Sequence, residues 1–139
     1  MGALADQGVP DPASLGEPSV EEPPPDEAVV VAARAAAAKS GLDTVVLAVG
    51  SILAITGHFV ITSGTNARQV RTIAEEVERE VAAVSGRRPL RTEGFDDLRW
   101  VLLDYGDFVV HAFLDEVRHY YELERLWADV PRVDWRPGS

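Results

Sequence analysis

Apolar side chains divide the first half of the chain into segments that each predict one secondary-structure element. Residues 27–39 are rich in Ala, the strongest helix former, and predict a first helix. Residues 44–49 are a short β-branched run that predicts a buried strand. A second strand is predicted at residues 58–63, approached through the apolar residues 52–55.

The clearest periodicity in the chain predicts an amphipathic helix that begins after Asn66 and ends at Gly86. Asn66 is a favourable N-cap, and Gln69 stands three residues later, where the partner residue of a capping box is found. Apolar residues then recur at intervals of three and four, which places them on one face of a helix. That stripe consists of Val70, Ile73, Ala74, Val77, Val81 and Val84.

The second half of the chain predicts a hairpin followed by a helix. Residues 87–92 contain Pro89, which cannot donate to a sheet ladder, so a strand here should lie at an edge. Residues 100–103 and 108–113 are apolar runs on either side of a polar turn, and both predict strands. A charged, aromatic-rich pattern then continues without interruption to Trp127 and predicts one docking helix.

This order of elements predicts an α/β domain whose mixed sheet has about five strands and is flanked by helices. Because helices and strands do not alternate regularly, the order argues against a doubly wound nucleotide-binding fold. We place the domain at residues 27–130 and a flexible C-terminal tail at residues 131–139. Residues 1–26 are rich in Pro and acidic side chains without hydrophobic periodicity, which is typical of a disordered tail that is either a solvated extension or an interaction arm.

The charge distribution favours a basic protein partner over nucleic acid. The net charge is −10, and residues 1–26 hold six acidic side chains and no Lys or Arg. The remaining residues have 17 acidic and 13 basic side chains, so the predicted domain is mildly acidic. Wrapping of nucleic acid depends on Lys and Arg, and is therefore disfavoured. The chain has no cysteine, no apolar run that could span a membrane and no signal-peptide pattern, so we expect a cytoplasmic protein without disulfides or a thiolate metal site.

Asp104, Asp107 and His111 are the best material for a metal or acid–base site. In an extended strand, residues four apart lie on one face but about 13 Å from each other, so Asp107 and His111 could not share one ion without a bulge or a third element. Asp104 and Asp107 also flank Tyr105-Gly106, where Asp is favoured for local turn hydrogen bonds. The turn interpretation is therefore preferred, and we predict no catalytic residue, metal or cofactor.

Two segments resemble parts of phosphate-binding sites. Residues 63–66 join a strand to a helix N-terminus, which could hold a phosphate, but helix capping explains the same residues and no Walker or GxGxxG pattern is present. Gly50-Ser51 is similar to the Gly-Ser of nucleotidyltransferases, although the Asp-x-Asp metal pair of those enzymes occurs nowhere in the chain.

Aromatic residues exceed what one helix face can bury near the end of the domain. Tyr120, Tyr121 and Trp127 populate more than one face of the predicted last helix. Tyr and Trp are enriched at protein–protein contacts, so these residues are divided between interface and core, and the sequence does not decide how.

The segment from residue 43 to residue 127, about 85 of 139 residues, resembles the ribosomal silencing factor family, also called Iojap-like proteins. Three strings carry the resemblance in the right order and spacing. They are FVITSGTNARQVRTIA (59–74), RWVLLDYGDFVVHAF (99–113) and YYELERLW (120–127). One departure is Gly57, where many members carry Asp, which puts an acidic role at this position in doubt.

The resemblance implies a function without catalysis. Family members bind ribosomal protein L-fourteen on the intersubunit face of the large subunit. They sterically prevent the small subunit from joining and so repress translation when nutrients are short. It also implies a nucleotidyltransferase-like fold without the catalytic residues, and a homodimer when the protein is free.

The family contact region includes the positions of Trp100 and Tyr105, which we expect to be aromatic anchors. Asp104 and Asp107 are expected to offer carboxylates to Lys or Arg of the partner at the rim. Two alternatives stay open: a nucleotidyltransferase-like phosphate enzyme, and a dimeric interaction module without a ribosomal role.

Overall fold

The predicted strands assemble into one mixed sheet in the computed structural model, which describes residues 27–50 and 56–136. Over these ranges the sheet has six strands, one more than expected, in the order β3-β4-β5-β2-β1-β6. Their bounds are β1 (Leu42–Ala48), β2 (His58–Gly64), β3 (Arg91–Glu93), β4 (Trp100–Asp104), β5 (Phe108–Leu114) and β6 (Arg132–Val133). The central pair β2 and β5 is parallel and the other pairs are antiparallel, which confirms a mixed α/β sheet.

Helices α1 (Glu27–Ala38) and α2 (Ala67–Ser85) cover one face of this sheet. The buried residues of α1 are five Ala and one Val, and these small side chains let the helix backbone lie close to the strands and to α2. Strands β4 and β5 meet these helices through alternate positions, as the period of two along a strand requires. Those positions are Val101, Leu103, Phe108, Val110 and Ala112, all fully buried.

Helix α2 agrees closely with its predicted pattern. Asn66 Oδ1 accepts a hydrogen bond from the backbone N–H of Gln69 at 2.9 Å, and Gly86 ends the helix with a φ of 72°. The capping box differs in one respect, because the Gln69 side chain accepts from the N–H of Thr65 and not from that of Asn66. Val84, the last residue of the predicted stripe, is 46% exposed, while the other members are buried.

The prediction of one continuous docking helix is wrong. Residues 115–127 form two short helices, α3 (Asp115–Tyr120) and α4 (Leu123–Leu126). Glu122 separates them in the left-handed region, with a φ of 50°. A non-glycine residue in that conformation is stabilised only by its surroundings, so the sequence carried no local signal for the break.

The C-terminal residues also differ from the predicted flexible tail. Val133 and Arg132 pair with Val46 and Leu47 of β1, and the Trp135 indole N–H donates to the carbonyl oxygen of Thr44 at 3.1 Å. The folded unit therefore extends to residue 136 at least, beyond the predicted boundary at 130. The predicted acidic tail at residues 1–26 and the approach at residues 52–55 lie outside the described residues.

None of the helices in the described ranges combines the length and the apolar character needed to span a bilayer.

Candidate functional site: the open face of the sheet

The sheet face opposite α1 and α2 is covered over only part of its width. Val117 of α3 and Leu123 of α4 pack against Leu47, Ile61 and Phe113, which closes the β1–β2 side. Towards β4 the face carries residues that are only partly buried or exposed. We call this region the open face, defined by Phe59, Trp100, Leu102, Val109 and Trp127 around the buried His111.

Trp100 is the most exposed aromatic residue that a strand presents on the open face. Its side chain is 45% exposed, and its ring lies 4.8 Å from that of Phe113, the residue opposite it on β5. The indole Nε1 donates a hydrogen bond to His111 Nδ1 at 3.1 Å. Gly94 helps to seat this residue, because a Cβ at position 94 would lie 2.0 Å from the Trp100 carbonyl oxygen. Trp100 is therefore held in place while half of its surface faces solvent.

His111 is a structural acceptor and not part of an acid–base pair in this arrangement. Because Nδ1 accepts from Trp100, the proton of the neutral ring resides on Nε2, for which the described residues provide no hydrogen-bond partner. Burial lowers the pKa of His111 to about 4, so the ring is neutral at pH 7. Within the described ranges, no group of three or more His, Asp or Glu side chains could hold a metal ion.

Asp104 has the turn role that its spacing suggested, whereas the Asp107 side chain pairs with a distant arginine. Asp104 Oδ1 accepts from the Gly106 N–H at 2.8 Å, and Arg91 lies 3.8 Å from its other oxygen. Asp107 accepts from Arg87 at 2.5 Å, and about half of its side chain remains exposed. Both carboxylates therefore reach solvent at the hairpin end of the open face, each already close to an arginine.

Tyr105 does not join Trp100 on the open face. Its side chain is 3% exposed and stacks on Phe108 at 4.6 Å, within the core under α1 and α2. Burial, assisted by the charge of Glu78 and opposed by Arg87, raises the pKa of Tyr105 to about 12. The expectation that Tyr105 is an exposed anchor is not supported by this geometry. Its position in a turn suggested exposure, but the alternation of β4 turns it towards the helices.

A cleft of about 470 Å³ lies beside Trp100, between β4 and the end of α3. Its walls are partly apolar and partly charged, with Glu93, Asp97, Arg99, Leu102, Val117 and Tyr121 around the indole. Sequence reasoning missed Leu102, Val109 and Phe59 as surface residues. The period of two along β4 and β5 could have placed the first two on the same sheet face as Trp100, whereas Phe59 required knowledge of the strand order.

The segment at residues 63–66 is occupied by structural contacts. Ser63 Oγ lies 3.0 Å from Asp115 Oδ1 and accepts from Arg118, and the Thr65 N–H donates to Gln69. These bonds support the capping interpretation over a phosphate site. Gly50 lies at the end of β1 with its N–H bonded to Gly57, while Ser51 is outside the described residues.

Comparison with known proteins gives consistent matches. A family model described as "Ribosomal silencing factor during starvation" matches residues 22–138. Ribosomal silencing factors of Bacillus subtilis (strain 168) and Halalkalibacterium halodurans are 41% and 42% identical over 96 residues, which is 69% of this chain and 80% and 81% of those proteins. A mouse protein named mitochondrial assembly of ribosomal large subunit protein 1 is 33% identical over 61% of this chain and 38% of its own length.

Solved structures agree with these matches. A crystal structure of a protein from Chromobacterium violaceum has a TM-score of 0.68 and 31% identity, over 73% of this chain and 84% of that chain. A second, from Bacillus halodurans, has a TM-score of 0.63 and 38% identity, over 75% of this chain and 93% of that chain. Family model, relatives and structures therefore agree that this chain belongs to the ribosomal silencing factor family.

Proposed function

We propose that this protein binds the large ribosomal subunit through ribosomal protein L-fourteen, and that the bound protein blocks joining of the small subunit. Family membership supports a role at the ribosome. The observation that carries the proposal is Trp100, an indole fixed on the open face with 45% of its surface exposed. A large aromatic side chain that is both ordered and exposed is typical of a binding anchor.

The surroundings of Trp100 suit a protein partner. Phe59, Leu102 and Val109 extend the apolar surface beyond the indole, as at the core of a protein–protein interface. Acidic side chains border this surface, Glu93 and Asp97 at the cleft and Asp104 and Asp107 at the hairpin, and they lie among Arg99, Arg91 and Arg87. A basic ribosomal protein would complement this rim, whereas bare RNA would be repelled.

In this proposal Asp104 and Asp107 act at the rim and Tyr105 acts as a core residue. The two carboxylates lie near Arg91 and Arg87. On binding, each carboxylate would either pair with a partner cation in addition to its arginine or exchange that arginine for the partner cation. Solvent-exposed ion pairs contribute little to affinity, and rim charges mainly change the association rate. Blocking is steric: a folded domain seated between the subunits excludes the other subunit, with no reaction required. We place this activity in the cytoplasm.

Sedimentation with ribosomal subunits tests the proposal. Purified protein is expected to migrate with the large subunit, and not with the small subunit, in a sucrose gradient at moderate salt. Adding it before the subunits are mixed should reduce the joined-ribosome peak in proportion to occupancy. If the protein stays at the top of the gradient at micromolar concentration, binding to the ribosome is refuted. If it binds and joining proceeds normally, the blocking mechanism is refuted.

We also propose that the free protein is a homodimer, as its family resemblance implies. Tyr120, Tyr121 and Leu126 are exposed on α3, α4 and their link, and they provide apolar surface that a second copy could cover. Light scattering coupled to size exclusion should give twice the monomer mass, and Tyr120→Ser with Leu126→Ser should lower it. A monomeric mass at all concentrations up to about 100 µM would contradict this.

A further inference from the structure

We propose that His111 is a positioning residue whose Nδ1 holds the Trp100 indole in the orientation that the ribosomal partner meets. The proposal rests on the proposed function for its consequence in binding. Its geometric basis, a hydrogen bond between a buried imidazole and a half-exposed indole, is independent of what the partner is.

The bond runs diagonally between neighbouring strands. Trp100 lies opposite Phe113 and His111 lies opposite Leu102, so indole and imidazole are diagonal neighbours on one sheet face. Their ring centroids are 6.0 Å apart with planes inclined by 50°, and Nε1 reaches Nδ1 at 3.1 Å. Long side chains can interact across such a diagonal, and here the contact directs the polar edge of the indole inward.

His111 is itself immobilised, which makes it an effective acceptor. It is 7% exposed, its ring meets Phe59 edge to face at 4.6 Å, and it lies almost parallel to Phe113 at 6.2 Å. These two phenylalanine rings therefore fix the direction of its Nδ1 lone pair. An acceptor whose own position is fixed constrains its donor more than a mobile one does.

An imidazole at this position lowers the free energy of unfolding relative to an apolar ring of similar size. Its Nε2 is buried without a hydrogen-bond partner among the described residues, and an unpaired buried polar group destabilises a fold. Within the described part of the chain, the one hydrogen bond of the imidazole is the one to Trp100. The arrangement is therefore explained by control of the indole better than by packing alone.

Fixing the indole in advance favours association. A half-exposed Trp without this bond could adopt other rotamers, and a partner would have to select one of them on binding. Because the indole is already held against Phe113, that ordering is complete before contact. Loss of one hydrogen bond of this kind is expected to weaken binding by about 3- to 10-fold.

Two substitutions separate the hydrogen bond from ring packing. His111→Asn removes the ring but keeps an acceptor, Oδ1, which is bonded to Cγ as Nδ1 is in histidine. His111→Phe retains the ring and its contacts with Phe59 and Phe113 but removes the acceptor. We expect His111→Phe to weaken binding to purified large subunits by about 3- to 10-fold and His111→Asn to stay within about twofold of wild type. The reverse order would overturn the proposal, because packing would then be the role of His111.

Hydrogen exchange of the Trp100 indole N–H, followed by NMR, tests the positioning without any partner. Its signal is assigned from the one that Trp100→Phe removes. Protection should be high in wild type, lost in His111→Phe and partly kept in His111→Asn. Equal protection in all three proteins would overturn the proposal even if binding is normal. Protection as expected in a protein that does not bind large subunits would instead refute the proposed function alone.

A third variant covers the case in which His111→Phe does not fold. Trp100→Phe removes the donor at a half-exposed position, where the fold should tolerate it, and it is expected to weaken binding at least as much as His111→Phe. In the Trp100→Phe background, His111→Leu, which removes the acceptor, should weaken binding by less than about twofold further, because the effect of His111 on binding passes through the indole N–H. A further loss of more than about threefold in the double variant would overturn the proposal.

Discussion

The two faces of one sheet differ in what their alternate residues do. On the closed face, under α1 and α2, strands β4 and β5 present Val101, Leu103, Phe108 and Val110, all fully buried. On the open face the same strands present Trp100, Leu102, Val109 and His111, of which only His111 is buried. Neighbouring residues of one strand therefore serve different purposes, the first set stabilising the fold and the second forming a surface.

Tyr105 and Trp100 show why this difference matters. Both are aromatic residues of one hairpin, and both were expected to be anchors. Tyr105 is buried on the closed face and Trp100 is half exposed on the open face. Substitution of the first should affect stability, and substitution of the second should affect binding. Substitutions on the two faces can test that division.

Tyr105→Ala should cause the largest loss of stability. Removing a buried aromatic ring that stacks on Phe108 leaves a cavity, and we expect the free energy of unfolding to fall by about 3–5 kcal/mol. Urea denaturation followed by circular dichroism measures it. The control is Tyr105→Phe, which keeps the ring and removes a hydroxyl that has no partner among the described residues, and which should be neutral or stabilising by about 1 kcal/mol. A native-like Tyr105→Ala would contradict the assignment to the core.

Arg118→Ala should release α3 and α4, which cover the β1–β2 side of the sheet next to the open face. Arg118 is almost fully buried, and its guanidinium donates to Glu124 at 2.7 Å, to Ser63 at 3.2 Å and to the carbonyl oxygens of Leu42 and Asp43. Loss of these bonds leaves buried acceptors unpaired, so we expect a destabilisation of about 2–4 kcal/mol. Amide exchange in α3 and α4 should accelerate most.

The matched control is Arg125→Ala, which removes an exposed arginine that pairs with Glu122 at 2.5 Å. A surface pair of this type contributes less than about 1 kcal/mol. Equal effects of the two arginine substitutions would show that α3 is held by apolar packing and not by Arg118.

Stability should depend on pH through His111. Burial lowers its pKa from 6.5 to about 4 in the folded state, so below pH 6.5 the unfolded chain binds a proton that the folded chain does not. Stability therefore falls as the pH falls from 6.5 towards 4, by about 2 kcal/mol between pH 7 and pH 5. Comparison with His111→Phe isolates this contribution, because the carboxylates titrate in both proteins. Parallel stability curves for the two proteins would contradict it.

Asp107→Asn should produce the smallest change. We expect the association rate with large subunits to fall by about two- to fivefold at low salt, with little change at high salt, because rim charges act at long range. Stopped-flow or surface-based kinetics measure this. Glu75→Gln is the control, since Glu75 is comparably exposed and paired with Arg71 but lies on α2, behind the closed face. An equal effect of both variants would indicate that only net charge matters.

The elements that the sequence predicted well are those whose signals are local. Helix α2 carries its own cap residues and a stripe of period 3.6, and the turn at Asp104 is set by a bond between residues two apart. The elements that it missed depend on distant contacts. Strand β6 has two residues and exists through pairing with β1, and the break at Glu122 has no Gly or Pro to mark it.

The candidate site was predicted only in part, because it too depends on contacts between distant segments. Trp100 could be singled out from the sequence only because the family resemblance includes its position. Its exposure, and the burial of Tyr105, depend on which sheet face the helices cover. Phe59 joins Trp100 only because β2 and β5 are adjacent and parallel. No local pattern within the hairpin contains that information.

The affinity of Trp100→Ala for purified large subunits tests whether the open face is the ribosome-binding surface. Val84→Ala is its matched control, since Val84 is also a partly exposed apolar residue, 46% against 45%, but lies on α2. With circular dichroism and unfolding midpoints near wild type, we predict that Trp100→Ala binds at least about 30-fold more weakly, a loss of about 2 kcal/mol, while Val84→Ala stays within about twofold. A folded Trp100→Ala protein that binds large subunits as tightly as wild type would contradict the assignment of the open face as the ribosome-binding surface.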